Sequence, residues 1–304
     1  MTPYCKADGS ACVACNSNAQ CGGETPICNQ GTNTCSGCLV NSDCAAPNPV
    51  CYGGQCVRNG ACPLNGSTVS YDGLTYDLIW IDINNNNTEE QGECWFKENI
   101  ASTQTKMSDN SLRKLDLGAD YVCVAADNRT DSDCLASTGG KGYLYTWVAA
   151  YGLLDSCYMG PCDDSLAIYR QGVCPPNWHV ATDVEWNQME MALTTSGPCN
   201  GDRREWGCDG AGYALKTKGY GNGLSIWPWF NSNIYNTNSS GFSAVAAGYY
   251  MNNYNMPGEE AFFWTNEVSE DSAAFARHLE VNNAAVDRPI QKRVDMLSVR
   301  CVHD

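Results

Sequence analysis

Between Leu74 and Ile83 the run LTYDLIWIDI alternates apolar and polar positions and is rich in aromatic and β-branched residues, which predicts a strand. YLYTWVAAYGLL, 143–154, is apolar almost throughout and predicts a short buried helix. In TDVEWNQMEMAL, 182–193, the period becomes helical: Trp186, Met189 and Leu193 fall at i, i+3 and i+7. Thr182 is the expected N-cap of that helix, with Glu185 closing a capping box. Beyond it, GFSAVAAGYY (241–250), FFWTN (262–266), ARHLEV (276–281) and LSVRCV (297–302) read as short strands between polar, Gly- and Asn-rich loops. A strand, two helices, a long irregular stretch and then antiparallel strands predict an α+β domain over residues 63–304. Trp178, Trp186 and Trp264 are its expected core tryptophans.

Residues 1–62 have no such pattern. They hold few apolar side chains and cannot bury a core, so they must be stapled. Eleven of the chain's 20 cysteines lie there, and the other nine run from Cys94 to Cys301. Cys5, Cys12, Cys15, Cys21 and Cys28 each recur 23 residues later, at Cys28, Cys35, Cys38, Cys44 and Cys51. Tandem disulfide modules of this kind read as a stalk or spacer, with a binding module as the alternative. Cys5 and Cys12 match the close of an earlier unit, so further repeats are expected upstream.

Cysteine usage also sets the compartment. Zinc is the competing explanation, but the chain holds only His179, His278 and His303, and its Cys-x2-Cys spacings lie inside the repeat. Disulfides, and hence an extracellular or cell-surface location, are the expectation. Both regions hold an odd number of cysteines, so full pairing needs a bridge between them, and Cys62–Cys94 is the proposed one. Cys123–Cys134, Cys157–Cys162 and Cys199–Cys208 are local candidates, and Cys174–Cys301 would be a long-range tie. Spacing alone does not fix this connectivity.

A net charge of −16 argues against nucleic acid and against electrostatic docking to an anionic membrane. No apolar run approaches the roughly 20 residues that span a bilayer, and MTPYCKADGS has no signal-peptide core. A mature form or a fragment of a longer protein is expected.

Catalytic signatures are sparse. No Gly-x-Ser-x-Gly, phosphate loop or His-rich metal motif occurs. His179, just before the predicted helix, is expected to be structural and hydrogen-bonded, and His303 exposed. Arg277 and His278 are neighbours on a strand, so one should point to solvent. The carboxylate pairs Asp163/Asp164 and Glu259/Glu260 are expected to be solvated. Calcium is the cofactor that the sequence suggests. DINNNNTEEQGE puts Asp82, Asn84 and Asn86 at loop positions 1, 3 and 5, Thr88 and Glu90 at 7 and 9, and Glu93 at 12. The flanks look like strands rather than helices, and a metal-free surface loop is the alternative.

CWFKENI (94–100), YLYTWVAA (143–150), CPPNWHVATDVEWNQM (174–189), YALK (213–216), GFSAVAAGYY, FFWTNE (262–267) and LSVRCV together resemble the Fibrobacter succinogenes major paralogous domain family, over nearly all of residues 70–304. The chain departs from the family pattern at Asn177 and Leu297 and carries an extra loop at 84–92. The resemblance implies a C-type-lectin-like fold in which Cys174 and Cys301 are bridged. It also implies a fold similar to the variable proteins of diversity-generating retroelements, with residues 249–296 as a stretch free to vary. Relatives of that fold include formylglycine-generating oxidases, which need reduced cysteines. The calcium sugar motifs Glu-Pro-Asn and Gln-Pro-Asp are absent.

The function expected is therefore a non-enzymatic adhesin or receptor-type head on a stapled stalk, contacting a protein or glycan ligand on another cell or surface. The alternatives are a pilus or envelope component that contacts sister subunits, with self-assembly through an upstream region, and a degenerate enzyme. Aromatic rings among adaptable amides suit such a face. Its expected residues are Trp229, Asn231, Asn233, Tyr235, Tyr250, Asn252, Asn253, Tyr254 and Asn255, with Glu267, His278, Glu280, Asp287 and Gln291 from the closing stretch.

Overall fold

The computed structural model describes Cys62 and residues 66–304 except 85, 87, 124–141, 161, 163–169, 219–226, 228–235 and 271; before Cys62 it describes Cys21 and six short strand segments. Those segments form three antiparallel hairpins. They pair Tyr4–Cys5 with Cys12–Val13, Ile27–Asn29 with Thr34–Ser36, and Val50–Tyr52 with Gln55–Val57. Each sets a cysteine opposite a cysteine: Cys5 and Cys12, Cys28 and Cys35, Cys51 and Cys56. The 23-residue repeat read from the cysteines is thus a repeat of hairpins.

Two five-stranded antiparallel sheets follow. In chain order the strands are β1 (Thr68–Tyr71), β2 (Leu74–Trp80), β3 (Cys94–Phe96), β4 (Gln104–Lys106), β5 (Leu112–Lys114), β6 (Tyr121–Cys123) and β7 (Tyr143–Thr146). Helix α1 (Trp147–Ala150), strand β8 (Trp178–Val180), helix α2 (Asp183–Leu193) and helix α3 (Ala211–Leu215) come next. The remaining strands are β9 (Tyr249–Met251), β10 (Asn253–Asn255), β11 (Glu260–Glu270), β12 (Ala273–Glu280), β13 (Ile290–Lys292), β14 (Met296–Leu297) and β15 (Cys301–His303). The first sheet runs β8-β15-β3-β2-β1 and the second β6-β7-β14-β9-β10. β11, β12 and β13 form a three-stranded ribbon, and β4 pairs with β5. The described fold is mostly sheet, with three short α-helices.

The alternation in LTYDLIWIDI sends Tyr76 and Leu78 into one core cluster and Ile79 and Ile81 into another. The second cluster lies under α2, where Trp186 meets Trp95, Phe242 and Phe263 at ring distances of 5.4, 5.3 and 5.1 Å. Thr182 caps α2 as predicted, and the reciprocal Glu185 bond completes the capping box. Trp178, Trp186 and Trp264 are all buried. The apolar run at 143–154 departs from its expectation. Its first half is β7, because Tyr143, Leu144 and Tyr145 pair with β6, and only four residues are α-helical.

LSVRCV is not one strand but two. β14 lies between β7 and β9 in the second sheet, while β15 lies between β8 and β3 in the first. Ser298–Arg300 crosses between them, and the crossing is held by the buried Arg300. Its guanidinium donates to the Phe96 and Phe242 carbonyls at 2.7 and 2.9 Å and to Asn99 Oδ1 at 2.7 Å. It also stacks over Phe242 at 4.2 Å. Burial pulls its pKa down to about 9.

Among the described residues four disulfides have both cysteines placed: Cys62–Cys94, Cys157–Cys162, Cys174–Cys301 and Cys199–Cys208. The first joins the two cysteine-bearing regions as parity required. Cys123 is also disulfide-bonded, and Cys134 lies outside the described residues. Among the described residues no helix is long and apolar enough to cross a membrane.

Candidate functional site

The β11–β12 ribbon has two faces, set by the period of two. Ala261, Phe263, Arg277 and Leu279 point into the core under α2. There Arg277 donates to Asp183 Oδ1 at 2.6 Å and to Glu190 Oε1 at 2.7 Å, Arg288 reaches Asp183 at 3.0 Å, and Arg203 pairs with Glu190. Burial would raise the Asp183 carboxyl, but Arg277 and Arg288 outweigh it and hold the group below its ordinary value. Every charge on this face is matched.

The other face carries Glu260 opposite Glu280 and Phe262 opposite His278. The His278 ring lies flat on Phe262, 4.1 Å between centroids and 5° from parallel. Trp206 approaches His278 from one side at 5.0 Å, and Tyr249 meets the edge of Phe262 from the other at 5.0 Å. Four rings from four segments therefore form a row: Trp206, His278, Phe262, Tyr249. Trp206 is brought in by the Cys199–Cys208 loop, anchored where Gly207 bridges Val286. Tyr249 is brought in by the bridge from Gly248 to Ala261. Trp206 and Tyr249 are half-buried, as are Glu280, Asp287 and His278.

Three carboxylates border the row. Glu260 lies 3.7 Å from His278 Nε2 and Asp287 lies 3.6 Å from Nδ1, both beyond hydrogen-bonding distance. His278 Nε2 is buried and makes no hydrogen bond. Asp287 accepts from the Arg288 backbone, while the Glu260 and Glu280 carboxylates accept no hydrogen bond from any described residue. Burial raises the Glu260 carboxyl; His278 opposes the shift, and Glu280 and Glu259 add to it. Glu260 was expected to be solvated, yet its side chain is only 21% exposed. Burial, with Glu260 nearby, also raises the Tyr249 hydroxyl.

The structure thus brings His278, Glu280 and Asp287 together; of the neighbours Arg277 and His278, Arg277 is fully buried under α2 and His278 lies on the opposite face, 12% exposed and packed between Phe262 and Trp206. Asn255 stands opposite Tyr249 on the β9–β10 hairpin, and Asn252 and Asn253 lie at its turn. Tyr250 and Tyr254 instead pack on Leu144, Val245, Ala247 and Met296, and the Tyr254 hydroxyl donates to the Ala247 carbonyl. They brace the hairpin rather than present free faces. Glu267 falls in a register shift of β11, and Gln291 pairs with Ala274 at the far end of the ribbon. Trp229, Asn231, Asn233 and Tyr235 lie outside the described residues. Trp206 and Glu260 were not among the expected contacts. Only the bulky indole inside the short Cys199–Cys208 loop signals the first, and only the register of β11 against β12 reveals the second.

The loop at 82–93 joins β2 to β3, with strands on both sides. Asp82 and Asn84 accept from the Asn86 backbone at 3.1 Å, and Asn84 and Asn86 donate to Glu90 at 3.0 and 2.8 Å. Asn86 accepts from the Thr88 backbone at 2.7 Å. Glu93 is buried and accepts from Ile83, Glu90 and the Trp80 indole. The side chains at the spaced positions therefore bond to one another. Among the described residues no group of three or more His, Cys, Asp or Glu side chains is arranged to hold a metal ion.

The other histidines are structural in position. His179 is buried, with Nε2 at 2.8 Å from Glu185 and Nδ1 at 2.7 Å from Asp304. Burial disfavours its charged form, but these carboxylates outweigh burial and raise its pKa. His303 is not simply exposed: it meets the edge of Trp178 at 5.2 Å and lies 3.6 Å from Glu89. In a concavity lined by Arg113, Asp120, Thr146 and Tyr158, Arg113 lies 2.8 Å from Asp120 and Tyr158 3.0 Å from Thr146, while Arg113 Nε makes no hydrogen bond.

No curated protein and no solved structure matches the chain. The family model described as the Fibrobacter succinogenes major domain matches residues 90–303, which takes in the second sheet, strands β3, β8 and β15 of the first, α2 and the ring row. The chain belongs to the Fibrobacter succinogenes major domain family.

Proposed function

We propose that this chain is a non-enzymatic binding protein, secreted or displayed at a cell surface, with a C-type-lectin-like head over residues 63–304 and the hairpin repeats of 1–62 as its stalk or spacer. The ring row with its bordering carboxylates is the ligand face. That row carries the reading: half-withdrawn polar groups whose hydrogen bonds are not made, here His278 Nε2 and the Glu260 and Glu280 carboxylates, cost stability and are retained where a ligand completes them. The Cys174–Cys301 tie and the small helical content support the lectin-like architecture. The disulfides commit Cys62, Cys94, Cys157, Cys162, Cys174, Cys199, Cys208 and Cys301 to structure, which weighs against cysteine chemistry of the oxidase kind. Calcium is not needed for the face so described.

The test is retention of the purified chain on a glycan array and a peptide array, with sedimentation to follow self-association. Selective retention that is lost in Trp206→Ala/Tyr249→Ala, with near-UV circular dichroism unchanged, is the expected result. If that variant loses only self-association, the chain is a subunit of an assembly, and the reading falls.

A further inference from the structure

The ligand's charge can be read from this face. Glu260 and Glu280 stand directly opposite each other on adjacent strands, and like charges in that position repel and destabilise the pair. Asp287 adds a third negative charge beside His278. The neighbouring cations are turned away from the face and used elsewhere. Lys216 is fully buried and gives its ammonium to the carbonyls of Glu280 at 2.6 Å and Asn283 at 2.8 Å. Arg277 is held by Asp183 and Glu190, and Arg204 and Arg288 stack on Phe275 on the opposite side of β12. The face offers three carboxylates and π-surfaces, with the Trp206 indole, the Tyr249 hydroxyl and a His278 ring N–H as its donors. Three carboxylates repel an anion and favour a cation.

We propose, building on the binding-head reading above, that this end of the β11–β12 ribbon docks a lysine- or arginine-bearing peptide segment of a protein partner. The cationic head sits among Glu260, Glu280 and Asp287, and the stem of one such side chain lies on the half-buried ring of Trp206 and that of another on Tyr249, at the two ends of the row. Aromatic faces attract such cations, more strongly where water is partly excluded. The chain's net charge of −16 steers a basic segment toward it.

The test uses fluorescence anisotropy with the full chain and two labelled nonapeptides of Gly and Ser, one bearing three lysines and one three glutamates. The lysine peptide should bind at least about tenfold tighter, and Glu260→Gln/Glu280→Gln should weaken it about tenfold. Asp116→Asn/Asp155→Asn removes the same charge elsewhere and should leave binding unchanged. Equal losses in both double variants would mean attraction by net charge alone and would overturn the proposal. So would calcium displacing the peptide from wild type but not from the Glu260→Gln/Glu280→Gln chain, which would make this a divalent-cation site. If Glu260→Gln/Glu280→Gln still retains an array ligand that Trp206→Ala/Tyr249→Ala loses, the binding face stands and only its cationic specificity fails.

Discussion

His179 and His278 each stand between two carboxylates, and the two trios differ by about an ångström. Around His179 both nitrogens close to 2.7–2.8 Å on Glu185 and Asp304, and the side chain is 1% exposed. Around His278 the gaps are 3.6–3.7 Å on Asp287 and Glu260, and the side chain is 12% exposed. The first trio is finished. It joins β8 to the cap of α2, and nothing is left for a ligand. The second is unfinished: its charges are close enough to interact but not bonded. The same three residue types thus serve as scaffold or as recognition surface, according to whether their hydrogen-bonding capacity is used up internally.

The largest effect should come from the covalent ties beside each trio. Removing Cys174–Cys301, which closes 127 residues next to β8 and β15, should cost about 5 kcal/mol in the chain-entropy account. Removing Cys199–Cys208, which closes nine residues around Trp206, should cost about 2.5 kcal/mol. Urea unfolding of the two double-serine variants checks the order. Equal losses would mean that the finished trio gains nothing from its longer tie.

Glu185→Ala removes both the capping box and the acceptor of a buried histidine, and should lower stability by about 2–4 kcal/mol. Glu260→Gln at the open trio should do the reverse and raise it by about 0.2–1 kcal/mol, because the repulsion from Glu280 is relieved. A loss in Glu260→Gln would show that this carboxylate is structural and would erase the contrast.

The pH response separates the histidines with the smallest effect. The folded-state pKa of His179 lies above its unfolded value. Its stabilising contribution is therefore complete below about pH 6.5 and is lost as pH rises through the folded value. His179→Gln should flatten the decline of unfolding free energy above about pH 6.5. A decline that persists unchanged would place its cause elsewhere.

What the sequence made legible follows from how local each signal is. The capping box lies within four residues, and the alternation of β2 is contiguous, so both could be read directly. Parity called for a bridge between the two regions and spacing offered candidate pairs, but neither fixed the connectivity, and Cys174–Cys301 was also implied by the family resemblance. LSVRCV alternates correctly yet changes sheets, because alternation reports which face is buried and not which neighbour pairs. The ring row was legible only in part, since His278, Phe262, Tyr249 and Trp206 come from four segments and meet through register and loop closure. Glu260 looked solvated because an adjacent acidic pair says nothing about the strand across from it. Packing constrains the stretch 249–296, whose freedom to vary was only an expectation: Phe263, Trp264, Arg277 and Leu279 are fully buried, so a substitution there is tolerated best at the outward positions.

The crossing at Ser298–Arg300 has a consequence for how the molecule is made. β14 and β15 are interior strands of different sheets, so neither sheet can close until residues 296–303 have left the ribosome. Everything before them can form hairpins and α2 but not a finished core, and a chain rich in such distant pairings folds slowly. Cys174 waits equally long for Cys301. A domain built this way stays open until its last two strands are made, and the Cys174–Cys301 bond then ties β15 to the segment before β8.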